Sequence, residues 1–389
     1  MVVNIYPIVS SLHKQDKINI STKKLLDELE SLSSHKFNIV DIDDLYNADL
    51  SLILIQSGGS EQLFLKHFNK LKGPFYLLTY GHNNSLAASL EILSFLKDRN
   101  LVGEVLHGSN NYIAARIDSL IKTNTNIEYR YGVIGRPSDW LISSKVNYTL
   151  AKDSLNVELV DISIDEVVKT YKQLPFSFNN EDEFNYDDKE LAKAYRLHQT
   201  LKTIKEKYNL NGLTIRCFSL LNKLNTTACM SLAKFNKDNI VATCEGDVPT
   251  MLSMHILNKL TGQVGFQANP SRIDINNSKM VLAHCTLPLS MCENISLDTH
   301  FESGIGIAIK GTLRKEKVTI FKLSSNLKDY YVATGTIINN LNEDNLCRTQ
   351  IEVLVDENIE YFLNRPYGNH HVIVYGDYKN EIIEYMNNK

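Results

Sequence analysis

The sequence predicts an α/β protein: two doubly wound parallel-sheet domains followed by a C-terminal antiparallel, barrel-like β domain. Three observations carry this. Strand-like and helix-like segments alternate up to residue 295, as in parallel sheets wrapped by helices. From residue 296 short β runs follow one another with only turns between them. The chain has 389 residues, 43% hydrophobic and 22% charged, which is room for two or three ordinary globular domains.

The first domain is expected over 1–128. Its strands are VVNIYPIV, KFNIVDI, LSLILIQSG, GPFYLLTY and LVGEVLHGS, apolar runs that break at glycine or polar positions. Residues 21–33 carry apolar positions at helical spacing, with Ser21 and Thr22 as N-cap candidates. LFLKHFNKL and LAASLEILSFLKDRN are amphipathic helices.

The central domain is expected over 129–295. Strand YGVIG runs into a Gly-Arg-Pro-Ser-Asp turn, followed by strand NVELVDIS and helix EVVKTYKQL. The acidic segment 175–190 has weak patterning and reads as a solvated loop. A long helix, LAKAYRLHQTLKTIKEKY, precedes the buried strands LTIRCF and IVATCE, and helix PTMLSMHILNKLTG ends at a glycine stop. The last domain, 296–389, holds strands GIGIAIKG, KVTIFKLS, YYVATGTII, TQIEVLV and HHVIVYGD and a closing helix KNEIIEYMNN.

Charge and motif content narrow the function. Lys and Arg number 41 against 45 Asp and Glu, a net charge of −4, so a dedicated nucleic-acid binder is not expected. No run approaches the roughly 20 apolar residues of a membrane span. The opening MVVNIYPIVSS lacks a basic leader and reads as a first strand, so a cytoplasmic protein is expected. Six cysteines without a C-x-x-C pair argue against zinc ribbons and thioredoxin chemistry and fit free thiols in a reducing compartment. Walker-A, G-x-G-x-x-G, G-x-S-x-G and H-E-x-x-H patterns are absent.

Chemistry concentrates at strand ends, where α/β sheets bind ligands. Glu245 directly follows the strand IVATC and is suited to hold a metal or move a proton. Asp247 precedes Val248-Pro249 and suits an N-cap. Arg216 ends LTIRCF and suits an anion or a hydroxyl; His284 ends VLAH. Asn369, His370 and His371 precede the last strand, and adjacent histidines on extended chain point to opposite faces, so one of them enters a given site.

In order along the chain, SGGSE, YGHNNSLAASLEIL, GVIGRPSDWLI, LTIRCF, CEGDVPTMLSMHIL, VLAHCT, CRTQIEV and GNHHVIVYGD resemble the L-fucose/L-arabinose isomerase superfamily, particularly its shorter fucose-isomerase-like members. The resemblance implies a metal-dependent aldose–ketose sugar isomerase working through an enediolate, with Mn²⁺ or another divalent cation. It implies a homo-oligomer, trimer or hexamer, with a small-molecule sugar substrate. It implies metal ligation by Glu245, His370 and the position of Asn269, where the fucose isomerases carry an aspartate. An amide there brings no charge and is no base, so Glu245, Asp247 and Asp274 are the candidate catalytic carboxylates. Arg216, His284, Asn369, His371 and Asn84 are the expected substrate contacts, and His284 falls where the arabinose branch has a histidine ligand. The departure at Asn269 also admits an isomerase or epimerase of a modified, anionic sugar, with Arg216 or Arg272 on the anion, or a non-catalytic carbohydrate-binding protein on the same fold.

Overall fold

The computed structural model describes residues 1–10, 15–99, 101–124 and 128–387. The chain divides into two compact units, Met1–Asn126 and Ile127–Asn387. Residues 125–127, beside the expected 128/129 boundary, and Asn388 of the expected last helix lie outside the described residues.

The first unit is a five-stranded parallel sheet of β1 (Val2–Ile8), β2 (Lys36–Ile39), β3 (Leu50–Ile55), β4 (Phe75–Leu78) and β5 (Gly103–Leu106), in the order β2-β1-β3-β4-β5. Ile5, Leu52, Leu54 and Leu77 are fully buried, because these strands carry helices on both faces, and so they read as unbroken apolar runs. The first helix is Gln15–Leu32. It begins ahead of Ser21 and Thr22, which are interior residues and not caps. The Ser21 hydroxyl donates back to the Lys17 carbonyl, and Thr22 Oγ1 accepts from Gln56. Ile18 is buried and extends the apolar stripe one turn earlier. A helix not anticipated above, Asn110–Asn124, buries Ile113, Ala114, Ile117, Leu120 and Ile121 at helical spacing. Asn84 lies in this unit, in left-handed conformation just before helix Ser85–Lys97, packed where a Cβ on Gly58 would come within 2.9 Å of its own Cβ.

The second unit holds a four-stranded parallel sheet of β6 (Tyr129–Ile134), β7 (Val157–Ile162), β8 (Gly212–Ile215) and β9 (Ala242–Cys244), in the order β7-β6-β8-β9. Antiparallel structure follows: β10 (Phe266–Asp274), β11 (Lys279–His284), β12 (Cys292–Asp298), β13 (Ala308–Leu313), β14 (Lys317–Leu323), β15 (Tyr330–Asn340), β16 (Thr349–Val355) and β17 (His371–Tyr375). Six of these close a barrel in the order β10-β11-β16-β15-β14-β17, and β12 pairs with β13 alone. The antiparallel region therefore starts at Phe266, ahead of residue 296. Closure leaves the barrel without an open edge, and its interior is filled by side chains that include Phe266, Leu282, Ile320, Ala333, Val353 and Ile373.

One helix joins the two layers of this unit. Val248–Thr261 is apolar nearly all round and is buried between sheet and barrel. Met251 and Leu252 share a core with Tyr131 and Val133 of β6 and with Phe321, Val372 and Val374 of the barrel. Ser253 Oγ accepts the Leu323 N–H at 2.8 Å, which ties the helix to β14. Among the described residues no helix is long and apolar enough to cross a membrane.

Candidate active site

The site grows from the end of β9. This strand is at the edge of its sheet, so its outer backbone groups need partners. Gln267 of β10 supplies them: Oε1 accepts the Cys244 N–H at 2.7 Å and Nε2 donates to the Cys244 carbonyl at 3.4 Å. The barrel thus fixes the strand end. Glu245 then adopts φ +65° and Gly246 φ +71°. A Cβ on Gly246 would lie 2.2 Å from the Arg136 carbonyl oxygen, so glycine is required there. The Ser138 N–H donates to the Glu245 carbonyl at 2.9 Å, and the Gly246 N–H to the Ile215 carbonyl at 3.1 Å. This backbone holds Glu245 in a conformation that non-glycine residues seldom adopt.

The two Glu245 carboxylate oxygens face different partners. Oε2 accepts Trp140 Nε1–H at 2.6 Å, and Oε1 lies 3.5 Å from His370 Nε2. His370 Nδ1 is 2.8 Å from Asp247 Oδ2. Asp247 is the N-cap of helix Val248–Thr261 through a 3.0 Å bond from Thr250 N to Oδ1. Its Oδ2 also faces the fully buried Lys322 Nζ at 3.4 Å, and that ammonium donates to Thr250 Oγ1 at 2.7 Å. His284, at the end of β11, has Nδ1 on Thr286 Oγ1 at 3.0 Å, and its ring centroid is 5.3 Å from that of His370.

Glu245, His284 and His370 each offer one ligand atom, and these atoms lie within 4.8 Å of one another. Among the described residues, His370 Nε2 is buried with no hydrogen-bond partner. A buried imidazole nitrogen left over beside a carboxylate and a second imidazole is the donor set of a divalent transition-metal site. His370 meets the further requirement that a ligating histidine be oriented through its other nitrogen, here by Asp247. The residues present fit such a cation.

The electrostatics agree. Burial works against the charged form of Glu245, but His370, then His284 and the Trp140 N–H, outweigh it and hold the carboxyl down to about 2. Burial likewise opposes a charged His370, yet Asp247 and Glu245 raise it to about 9. His284 is pushed down to about 3 by burial and by the neighbouring His370. Burial would raise Asp247, and Lys322 and His370 hold it far below the carboxylate range. Protonated His370 and Lys322 together face the two carboxylates.

The other expected residues separate. His371 points away, as strand alternation requires: its Nε2 meets Tyr361 Oη at 3.1 Å and its ring packs on Phe362. Asn269 Oδ1 accepts from Asn369 Nδ2 at 2.8 Å, so the two amides pair with each other, and the third donor of the cluster is His284. Asp274 sits at the tip of the β10–β11 hairpin, exposed and bonded to Asn277, far along the strand from Asn269 and outside this cluster. Asp247 caps the helix and meets His370 at Nδ1, the nitrogen turned away from the cluster, which suits it to orientation and not to proton abstraction. Arg216 directly follows Ile215, which the β8–β9 register pairs with Cys244, and its guanidinium is bound by Asp139. Arg272 pairs with Glu343 at the surface.

Four residues come to the site without having been singled out. Trp140 reaches Glu245 across 105 positions of sequence. Phe218 packs edge-on against Trp140 at 4.9 Å and against His300 at 5.3 Å, which brings His300 to the same centre. Lys322 was one polar position in a β run. The single tryptophan after a Gly-Arg-Pro-Ser-Asp turn was the available signal for the first.

No family model matches the chain. It is similar to the sulfoquinovose isomerases of Priestia aryabhattai and Priestia megaterium, each 26% identical in an alignment 278 residues long that covers 66% of this chain and 62% of the relative. A sulfoquinovose isomerase of Alkalicoccus urumqiensis is 25% identical over 152 residues, 38% of this chain and 34% of that protein. The chain thus spans about three fifths of the length of the first two curated relatives it matches.

Proposed function

We propose that this protein is an aldose–ketose isomerase acting on an anionic sugar, with a sulfonated hexose such as sulfoquinovose as the leading substrate. The observation that carries the reading is Glu245, ionised and buried at a strand end, grouped with His284 and His370. The similarity to sulfoquinovose isomerases supports the reaction class and favours an anionic substrate over the neutral deoxyhexoses of the fucose-isomerase resemblance.

Glu245, His284 and His370 would hold a divalent cation, with Mn²⁺ the first candidate, and when bound it would supply Lewis acidity toward the substrate oxygens. The chain's own residues do the rest. Glu245 takes the proton from C2 and returns it to C1, while the O2 hydroxyl proton passes to O1. Trp140 holds Glu245 Oε2 until substrate binds, and Asp247 fixes the tautomer of His370, leaving Nε2 directed at the cluster. Arg216 holds the anionic group with its two-pronged guanidinium, the geometry best matched to sulfonate or carboxylate oxygens.

The test is a panel of sulfoquinovose, glucose, fucose and arabinose, incubated with Mn²⁺-loaded protein and followed by NMR. Ketose from sulfoquinovose and not from the neutral sugars is expected. Turnover of a neutral sugar alone would remove the anionic part of the proposal, and no ketose from any sugar would remove the isomerase.

A further inference from the structure

The turn that follows β6 makes two side-chain contacts from adjacent residues. Asp139 holds Arg216 with both carboxylate oxygens: Nη1 donates to Oδ1 at 3.1 Å and Nη2 to Oδ2. Trp140, next in sequence, donates to Glu245. The Asp139 side chain is 82% exposed, whereas that of Arg216 is 25% exposed. The arginine is therefore a partly enclosed, fixed cation, and its partner is a solvent-facing group on a turn. An ion pair exposed on one side adds little stability and exchanges readily. A guanidinium fork takes carboxylate, sulfonate or phosphate oxygens in the same two-point manner.

We propose that Asp139 is an internal stand-in for the anionic group of the substrate at Arg216, and that displacing it carries Trp140 off Glu245. This rests on the anionic-sugar reading above and deepens it. With Asp139 in place, Glu245 Oε2 is occupied by the indole N–H. An oxyanion on Arg216 releases Asp139, and the turn then frees that carboxylate oxygen. A neutral sugar has no group that competes with Asp139, so selection for an anion is coupled to exposure of Glu245. The anchors of the turn that do not involve these side chains, the Ser138 N–H on the Glu245 carbonyl and the Arg136 carbonyl against Gly246, keep the displacement local.

Trp140 is the only tryptophan in the sequence, so intrinsic fluorescence reports this contact directly. The probe is methanesulfonate, titrated into the full chain against sodium chloride at equal ionic strength, with no turnover required. A saturable change with methanesulfonate, absent with chloride and lost in Arg216→Gln, is expected. Asp139→Asn, which keeps shape and removes charge, is expected to lower the half-saturating concentration about two- to fivefold. Calorimetric binding of methanesulfonate that needs Arg216 but leaves Trp140 fluorescence unchanged overturns the coupling. Binding that Asp139→Asn does not tighten overturns the stand-in. Binding that is indifferent to Arg216 overturns the subsite. A positive titration with no isomerisation of any sulfonated hexose leaves this inference standing and defeats the proposed activity.

Discussion

Asp247 and His370 share a 2.8 Å hydrogen bond at full burial, 123 residues apart in sequence, and that bond decides which nitrogen of His370 is left for the cluster. Lys322 and Thr250 hold Asp247 from behind. Outer partners of this kind are worth about 10- to 100-fold in metal affinity. Asp247→Asn is therefore expected to weaken Mn²⁺ binding by about that factor, measured by calorimetry on chelator-stripped protein. An unchanged affinity would separate His370 from the metal.

Metal binding should also stabilise the fold. At about 100 times its dissociation constant a ligand adds roughly 2.7 kcal/mol by mass action. Mn²⁺ is expected to raise the melting temperature of the stripped wild type and to leave His284→Ala nearly unmoved. Equal shifts in both proteins would place the cation elsewhere.

Gly246 is a backbone requirement, not a spacer. Gly246→Ala puts a Cβ 2.2 Å from the Arg136 carbonyl, at a positive φ. A loss of about 2 kcal/mol or more in denaturant unfolding is expected, with activity falling further as Glu245 moves. A neutral substitution there would contradict the packing described for the turn.

Acid sensitivity is expected from His198, which is buried against Ser231 and Phe235. Burial, followed by the charges of Lys234 and Lys202, lowers it to about 4. The unfolded chain takes up this proton near 6.5 and the folded chain near 4, so between these values the unfolded state binds more protons. The stability due to a neutral His198 is present above about 6.5 and is lost as pH falls toward 4. His198→Gln should show a flatter decline of melting temperature across that window, and parallel curves would assign the acid sensitivity to other groups.

Much of this was legible, and the rest was hidden for identifiable reasons. The α/β–β architecture was readable because the parallel strands are buried on both faces and the barrel strands come without helices between them. Glu245 was readable because a strand, a glycine and a capping aspartate follow in sequence. The neighbouring histidines were ambiguous only until the chain direction into β17 was known, since one residue of register exchanges their faces. The first helix start was misplaced because Ser21 and Thr22 have cap chemistry but bond within the helix and to Gln56. Trp140 and Lys322 were out of reach, since they act on residues 105 and 75 positions away. In a β run, a lysine reads as solvent-facing unless its buried carboxylate partner is known.

The measurement that tests the central claim most directly is proton transfer in D₂O. Mn²⁺-loaded wild type and Glu245→Gln would each be given sulfoquinovose, and deuterium followed by NMR. The account predicts ketose with deuterium at C1 from the wild type and a rate lower by about 10²- to 10⁴-fold in the variant. Ketose formation at the same rate in both proteins would contradict Glu245 as the proton carrier.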